Sequence, residues 1–266
     1  MLSQSQIDTA AADLLRAEAE RAQIGLLSLR HPEMTLDDAY AIQAAQMVQK
    51  RAQGRRIIGW KIGLTSKVMQ AALGIETPDS GVLYDDMAFE SGETVPAGRF
   101  IQPRVEAEIA FVMKAPLEGE VTRAAVLAAT DYVTPALEIL DTRILRSDPA
   151  TGVARIICDT VSDNAANAGI VLGSARHDPQ DVDLRWTGAI VSKNGAVEAT
   201  GLGAAVLNDP VTGIVWLARR MGQYGQRIEA GQVILSGSFI APIECPARTA
   251  IAADFGPFGQ VAIDFE

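Results

Sequence analysis

Cysteine and histidine are scarce: Cys158, Cys245, His31 and His177 are all that 266 residues contain. Two distant cysteines make no disulfide framework and fit a reducing cytoplasm, the expected location. So few sulfur and imidazole ligands exclude a zinc finger, a His-rich zinc centre and an iron–sulfur cluster. Any metal must then be held mainly by carboxylates, which selects a hard ion, Mg²⁺ or Mn²⁺. Positive charge is also short. The formal net charge is −10, so a phosphate backbone would be repelled and no nucleic-acid partner is expected. No apolar run approaches the roughly 18–20 residues of a membrane helix. The polar start lacks the basic-then-apolar pattern of a secretory signal.

Apolar residues at 48% and charged residues at 21% are ordinary globular usage, enough for a large core. Ile7, Ala10, Ala11, Leu14, Leu15 and Ala22 fall on one stripe at helical spacing, predicting an amphipathic helix over 5–29 that Glu18 interrupts. Thr35 and Asp38 resemble a capping box for a second helix over 36–52. From Ile57 the texture becomes strand-like, with Gly and Pro punctuation. Strands are expected over 57–62, 105–113, 132–140, 184–192, 196–201, 232–240 and 250–265. Asn194-Gly195 marks a hairpin turn. Helices are expected over 122–130 and 209–221, and 77–81 reads as a turn or loop. The expected organisation is a helical segment, residues 1–55, on a mainly β body, residues 56–266, as one integrated α+β unit.

The strongest chemical signal is Arg104-Val105-Glu106-Ala107-Glu108-Ile109-Ala110-Phe111. In a strand, Glu106 and Glu108 share one face about 7 Å apart. They are either a solvated outer face or a pair awaiting a cation. Glu138 is a lone charge in the apolar run Ala136-Leu137-Glu138-Ile139-Leu140, and such a carboxylate needs a partner. That partner is a base such as Arg143, or a metal shared with Glu106 and Glu108. Lys61, between Trp60 and Ile62, is placed for desolvation that would lower its pKa. The small polar run Asp159–Gly169, with Ser162, suits a pocket wall or a tight turn. Ser236-Gly237-Ser238 is a turn whose N–H groups could hold a carboxylate. The Gly59–Lys67 stretch lacks phosphate-loop spacing, and Gly201-Leu202-Gly203 lacks the third glycine of a dinucleotide fingerprint.

Gly59–Lys67, Glu76–Gly81, Phe100–Phe111, Asp131–Asp141, Asp159–Gly169 and Ala230–Phe239 together resemble the 2-keto-4-pentenoate hydratase group of the fumarylacetoacetate hydrolase superfamily. The likeness runs over nearly the whole chain in one register. It implies a distorted β-barrel or roll with a Mg²⁺ or Mn²⁺ site ligated by Glu106, Glu108 and Glu138. By the same resemblance Lys61 and Asp79 take the acid/base roles, and Ser162 and Ser238 are expected to touch substrate. The implied reaction is addition of water to a 2-hydroxy-dienoic diacid in the breakdown of aromatic rings. A 2-oxo-3-enedioate decarboxylase, or a non-catalytic metal-binding partner of one, is the alternative. Trp60 stands where the hydratase of the group that the chain most resembles commonly carries His and related decarboxylases Trp. The implied assembly is a homo-oligomer, with a pathway decarboxylase as a further partner. Some arginine must meet the far carboxylate of a diacid. Residues 68–81 are expected to form a lid that carries Asp79 over the metal.

Overall fold

The computed structural model describes all residues except 68, 69, 72–74 and 76. Its helices are α1 (Gln4–Glu20), α2 (Leu27–Arg30), α3 (Leu36–Ala52), α4 (Arg123–Ala129), α5 (Ile157–Ser162) and α6 (Pro210–Gln223). Its strands are β1 (Ile57–Gly63), β2 (Asp79–Tyr84), β3 (Ala88–Glu90), β4 (Thr94–Val95), β5 (Arg104–Met113), β6 (Thr130–Leu140) and β7 (Asn167–Leu172). They continue as β8 (Gly188–Lys193), β9 (Ala196–Leu202), β10 (Val233–Leu235), β11 (Ile243–Glu244), β12 (Thr249–Asp254) and β13 (Gln260–Phe265).

Two mixed sheets form the body. The larger runs β2-β1-β10-β5-β6-β7-β3, with β11 added beside β5; the smaller runs β4-β13-β12-β8-β9. The main core lies between them. Val105, Ala107, Ile109 and Phe111 of β5 meet Val191, Ile251, Val261 and Ile263 of the smaller sheet, and Val211, Ile214 and Leu217 of α6 close one side. The alternation of β5 dictates this: its odd positions are apolar and go inward, so its even positions are sent to the opposite face. That second face carries only a narrow apolar strip, Leu83, Ala110, Ala136, Ile170 and Leu235.

The N-terminal helices build a separate core from Ala10, Ala11, Leu14, Ala39 and Ile42, closed by Ile144, Cys158 and Val161 of the body. The Thr35–Asp38 capping box is present. The first helix is shorter than expected: it stops at Arg21, which adopts a left-handed conformation with φ 54°. Glu18, the break in the stripe, bonds Lys50 of α3 at 2.7 Å and so ties the two long helices together.

Other expectations shift as well. The 232–240 run is a strand only over β10, and 250–265 is the β12–β13 hairpin. The first arm of the Asn194-Gly195 hairpin starts later than 184, at Gly188. Residues 79–81, read as a turn, open β2, which is buried along its whole length. A strand buried on both sides shows no polar alternation, and the adjacent Pro and Gly hide it. Six of the fourteen residues of the expected 68–81 lid, 68, 69, 72–74 and 76, lie outside the described residues. Asp79 itself is fixed in β2, paired with Gly63.

Candidate metal centre

The second face of the large sheet gathers the charged groups. In the β5–β6 ladder Glu106 stands opposite Glu138, and Glu108 opposite Ala136. Directly paired residues share a face, so the three carboxylates converge. One oxygen from each lies within 4.8 Å of the others. Leu235 of β10 pairs with Ala110 on one side and Lys61 of β1 on the other, which brings Lys61 to the same face. Asp79 pairs with Gly63, two residues beyond Lys61, and joins it. The approach is close: a Cβ at Gly63 would overlap the Asp79 carboxylate and lie 3.1 Å from Lys61 Nζ.

These groups are buried. Glu108 and Glu138 are 0% exposed, Asp79 2% and Lys61 3%, while Glu106 keeps an open edge. The solvated-face reading of β5 is therefore overturned. Lys61 Nζ lies 3.1 Å from Glu138 Oε1, so the base beside Glu138 is Lys61. Arg143 turns instead to Asp163, at 2.5 Å. Glu108 Oε2 accepts the Gly237 N–H at 2.7 Å. The small-residue turn at 236–238 does hold a carboxylate, and it is this chain's own. Glu108 Oε1, Glu138 Oε2 and Asp79 Oδ1 are buried with no hydrogen-bond partner among the described residues.

Burial and mutual repulsion set the titration of the cluster. Glu106 is pushed up to about 8 by burial and by Glu138, with Lys61 and Arg104 pulling the other way. Burial, Glu138 and Glu106 hold the Glu108 carboxyl well above the usual range. Burial also raises Glu138 and Asp79, each against the pull of Lys61. Burial alone would lower Lys61, but Glu138, Asp79, Glu106 and Glu108 outweigh it and raise the lysine above its ordinary value. The expected lowering of Lys61 is thus corrected: without a competing cation it is held protonated. Four acidic groups around one ammonium, with orphaned oxygens among them, suit a divalent oxygen-ligated ion.

The two serines have other bonding. Ser238 Oγ donates to the Ile240 carbonyl at 2.8 Å and accepts the Ile240 N–H at 3.2 Å, closing a local turn. Ser162 lends its carbonyl to Gln46 at 2.6 Å, and its hydroxyl is buried without a partner. Asn164 is a residue that sequence reasoning left unassigned. Its side chain exchanges two bonds with the Val82 backbone, at 2.7 and 2.9 Å, and so docks the 163–167 turn on β2 beside the pocket. Trp60 points away from the carboxylates. It pairs with Val82 and Ile234 on the opposite face and bonds Gln232 through Nε1 at 3.1 Å. There it lines a small cavity with Tyr40, Met47, Ser80 and Arg220.

A two-sheet roll with a buried carboxylate triad beside a lysine defines a class of metal-binding enzyme fold. No protein-family model matches the chain. Over 251 residues it is 47% identical to 2-oxo-hept-4-ene-1,7-dioate hydratase of Escherichia coli, covering 94% of each chain. It is 40% identical over 266 residues to 2-keto-4-pentenoate hydratase of Paraburkholderia xenovorans (strain LB400), covering 100% of this chain and 97% of that one. Among solved structures it matches 4-oxalocrotonate decarboxylase from Pseudomonas putida G7, complexed with magnesium and adipate. That match has a TM-score of 0.94 and 34% identity, over 100% of this chain and 99% of the other. The chain belongs to the 2-keto-4-pentenoate hydratase group and has the fold of fumarylacetoacetate hydrolase family proteins.

Proposed function

We propose that the protein is a divalent-metal-dependent hydratase, adding water to 2-hydroxy-hepta-2,4-diene-1,7-dioate or a close diacid in aromatic meta-cleavage degradation. The observation that carries this reading is the convergence of Glu106, Glu108 and Glu138 with oxygens left unpaired. The 47% identity to a hydratase of that class supports it. Glu106, Glu108 and Glu138 would hold the ion, Mg²⁺ or Mn²⁺. When bound, the ion supplies Lewis acidity toward the 2-oxo acid end of the substrate.

The chain's own residues do the rest. Gly237 fixes the Glu108 carboxylate through its N–H. Lys61, held protonated, is the proton donor, and Asp79, raised by burial, is the group beside it that accepts and returns a proton. In the net change a proton leaves the C2 hydroxyl and is placed on C5. Water then adds its hydroxyl to C4 and its proton to C3, giving a 4-hydroxy-2-oxo acid. The buried pocket limits which water takes part. Ser162, with its free buried hydroxyl, remains a candidate substrate contact, and Ser238 contributes by shaping the turn.

Decarboxylation of a 2-oxo-3-enedioate is the second reading, favoured by the fold match to a decarboxylase and by Trp60. The test is purified protein with Mg²⁺ and freshly prepared 2-hydroxydienoate diacid, products identified by mass. Gain of one water supports the hydratase; loss of carbon dioxide replaces it with the decarboxylase. No turnover by the purified chain would favour a scaffold role beside a decarboxylase. Among the described residues no helix is long and apolar enough to cross a membrane.

A further inference from the structure

The charged face of β5 does not end at Glu106. Residues two apart share a face, so Arg104 continues the row roughly 7 Å further on. Opposite Arg104 stands Glu244 of β11. Its Oε1 lies 4.0 Å from Arg104 Nε and accepts a 2.7 Å bond from Arg146 Nη1. Arg155 is held next to Arg146 by the backbone: its N–H donates to the Arg146 carbonyl at 3.0 Å, beside the Ser147–Ala154 bridge. Two guanidinium groups thus share one glutamate, and the backbone sets a third arginine beside them.

That glutamate does not satisfy them. Arg146 Nε and Nη2 and Arg155 Nη1 are buried and have no acceptor among the described residues. Arg155 has no ion pair among the described residues, whereas Arg104 and Arg146 share Glu244. Buried donors left without an acceptor are costly, so an acceptor belongs here. The three cations also work against one another. Burial weakens proton binding by Arg104, and Arg146 weakens it further. Burial does the same at Arg155, where Asp163 opposes the effect and Arg104 and Arg146 add to it. The cluster adjoins the carboxylate pocket through β5, where Arg104 and Glu106 lie two residues apart on one face.

We propose that Arg155, flanked by Arg104 and Arg146, receives the distal carboxylate of a dianionic 2-oxo acid whose other end sits at Glu106, Glu108 and Glu138. The inference rests on reading that pocket as a 2-oxo acid site. The step from Glu106 to Arg104, roughly 7 Å along the strand, is on the scale of an extended six- or seven-carbon diacid built from ~1.5 Å bonds. A guanidinium fork matches a carboxylate with two parallel bonds. A monoacid would leave these donors unpaired, and a site built around such donors rejects the ligand that lacks the acceptor. The arginines also explain how a chain of net charge −10 accepts a dianion.

The test is calorimetry on the full-length protein loaded with Mg²⁺, comparing 2-oxoadipate with 2-oxohexanoate, which lacks only the distal carboxylate. The wild type is expected to bind the diacid about tenfold or more tightly than the monoacid. Arg155→Gln should remove most of that ratio while holding 2-oxohexanoate within about twofold of wild type. Arg155→Lys, which keeps the charge and loses the fork, should lower the ratio in part, and it carries the test if the glutamine variant does not fold. Equal binding of the two acids by wild type, an unchanged ratio in the folded variants, or equal weakening of both ligands overturns the subsite. Failure of the wild type to bind either acid overturns the pocket reading itself.

Discussion

Lys61 is held in a pocket that would reject it but for its acidic neighbours. Removing its charge tests its role. Lys61→Met should lower kcat by about two orders of magnitude or more, as loss of a proton-transfer group does. Mn²⁺ affinity should hold or improve, because an ammonium 3.1 Å from Glu138 competes with a cation for that carboxylate. A parallel loss of metal binding and rate would reduce Lys61 to a pocket former. Glu106 offers a test by pH. Its carboxyl is raised from 4.5 to about 8, so between those values the folded chain binds more protons than the unfolded one. Stability from this group therefore falls as pH rises through that window. A dication that replaces the proton recovers it, so saturating Mg²⁺ should raise Tm more near pH 8.5 than near pH 6. Equal shifts at both pH values would mean that Glu106 is not a ligand.

At the scale of elements, the turn after β10 sets the aim of Glu108. Gly237 has φ 115°, and a Cβ there would run into the Thr65 side chain. Gly237→Ala should cost about 1–3 kcal/mol in thermal or urea unfolding. It should also weaken Mn²⁺ binding, because the N–H that orients Glu108 moves with the turn; unchanged affinity in a destabilised variant would separate the two roles. The β5–β6 pair was legible in the sequence because its apolar alternation survives on one face, and Glu138 was conspicuous as a charge among aliphatics. β2 was illegible because both its faces are covered. The geometry of Asn164, Ala165 and Ala166 was equally hidden. All three have positive φ, a conformation that L-residues avoid, held here by bonds from Asn164 to Val82 that only the tertiary fold supplies. Which base stands beside Glu138 was hidden for the same reason: Arg143 is near in sequence, but Lys61 arrives through β10 and β5.

Over the whole molecule, the helical core and the sheet core are joined by buried polar bonds rather than by a linker. Gln43 of α3 donates to the carbonyls of Ser80 in β2, at 2.9 Å, and of Val161 in α5, at 3.2 Å. Ile144, Cys158 and Val161 of the body complete the helical core. Thermal unfolding should therefore be one cooperative event, with helical circular dichroism and tryptophan fluorescence giving the same midpoint. Two separated midpoints would make residues 1–55 an independent unit. The large sheet between these parts has a further consequence. Lys61 and Trp60 are neighbours in sequence, yet the pleat sends one to the carboxylate cluster and the other to the packing behind it. Evolution can thus revise position 60 without touching the carboxylate cluster, acting only through the strand that carries the lysine. Related enzymes would then diverge in the outcome of one shared chemistry by substitutions made behind the wall.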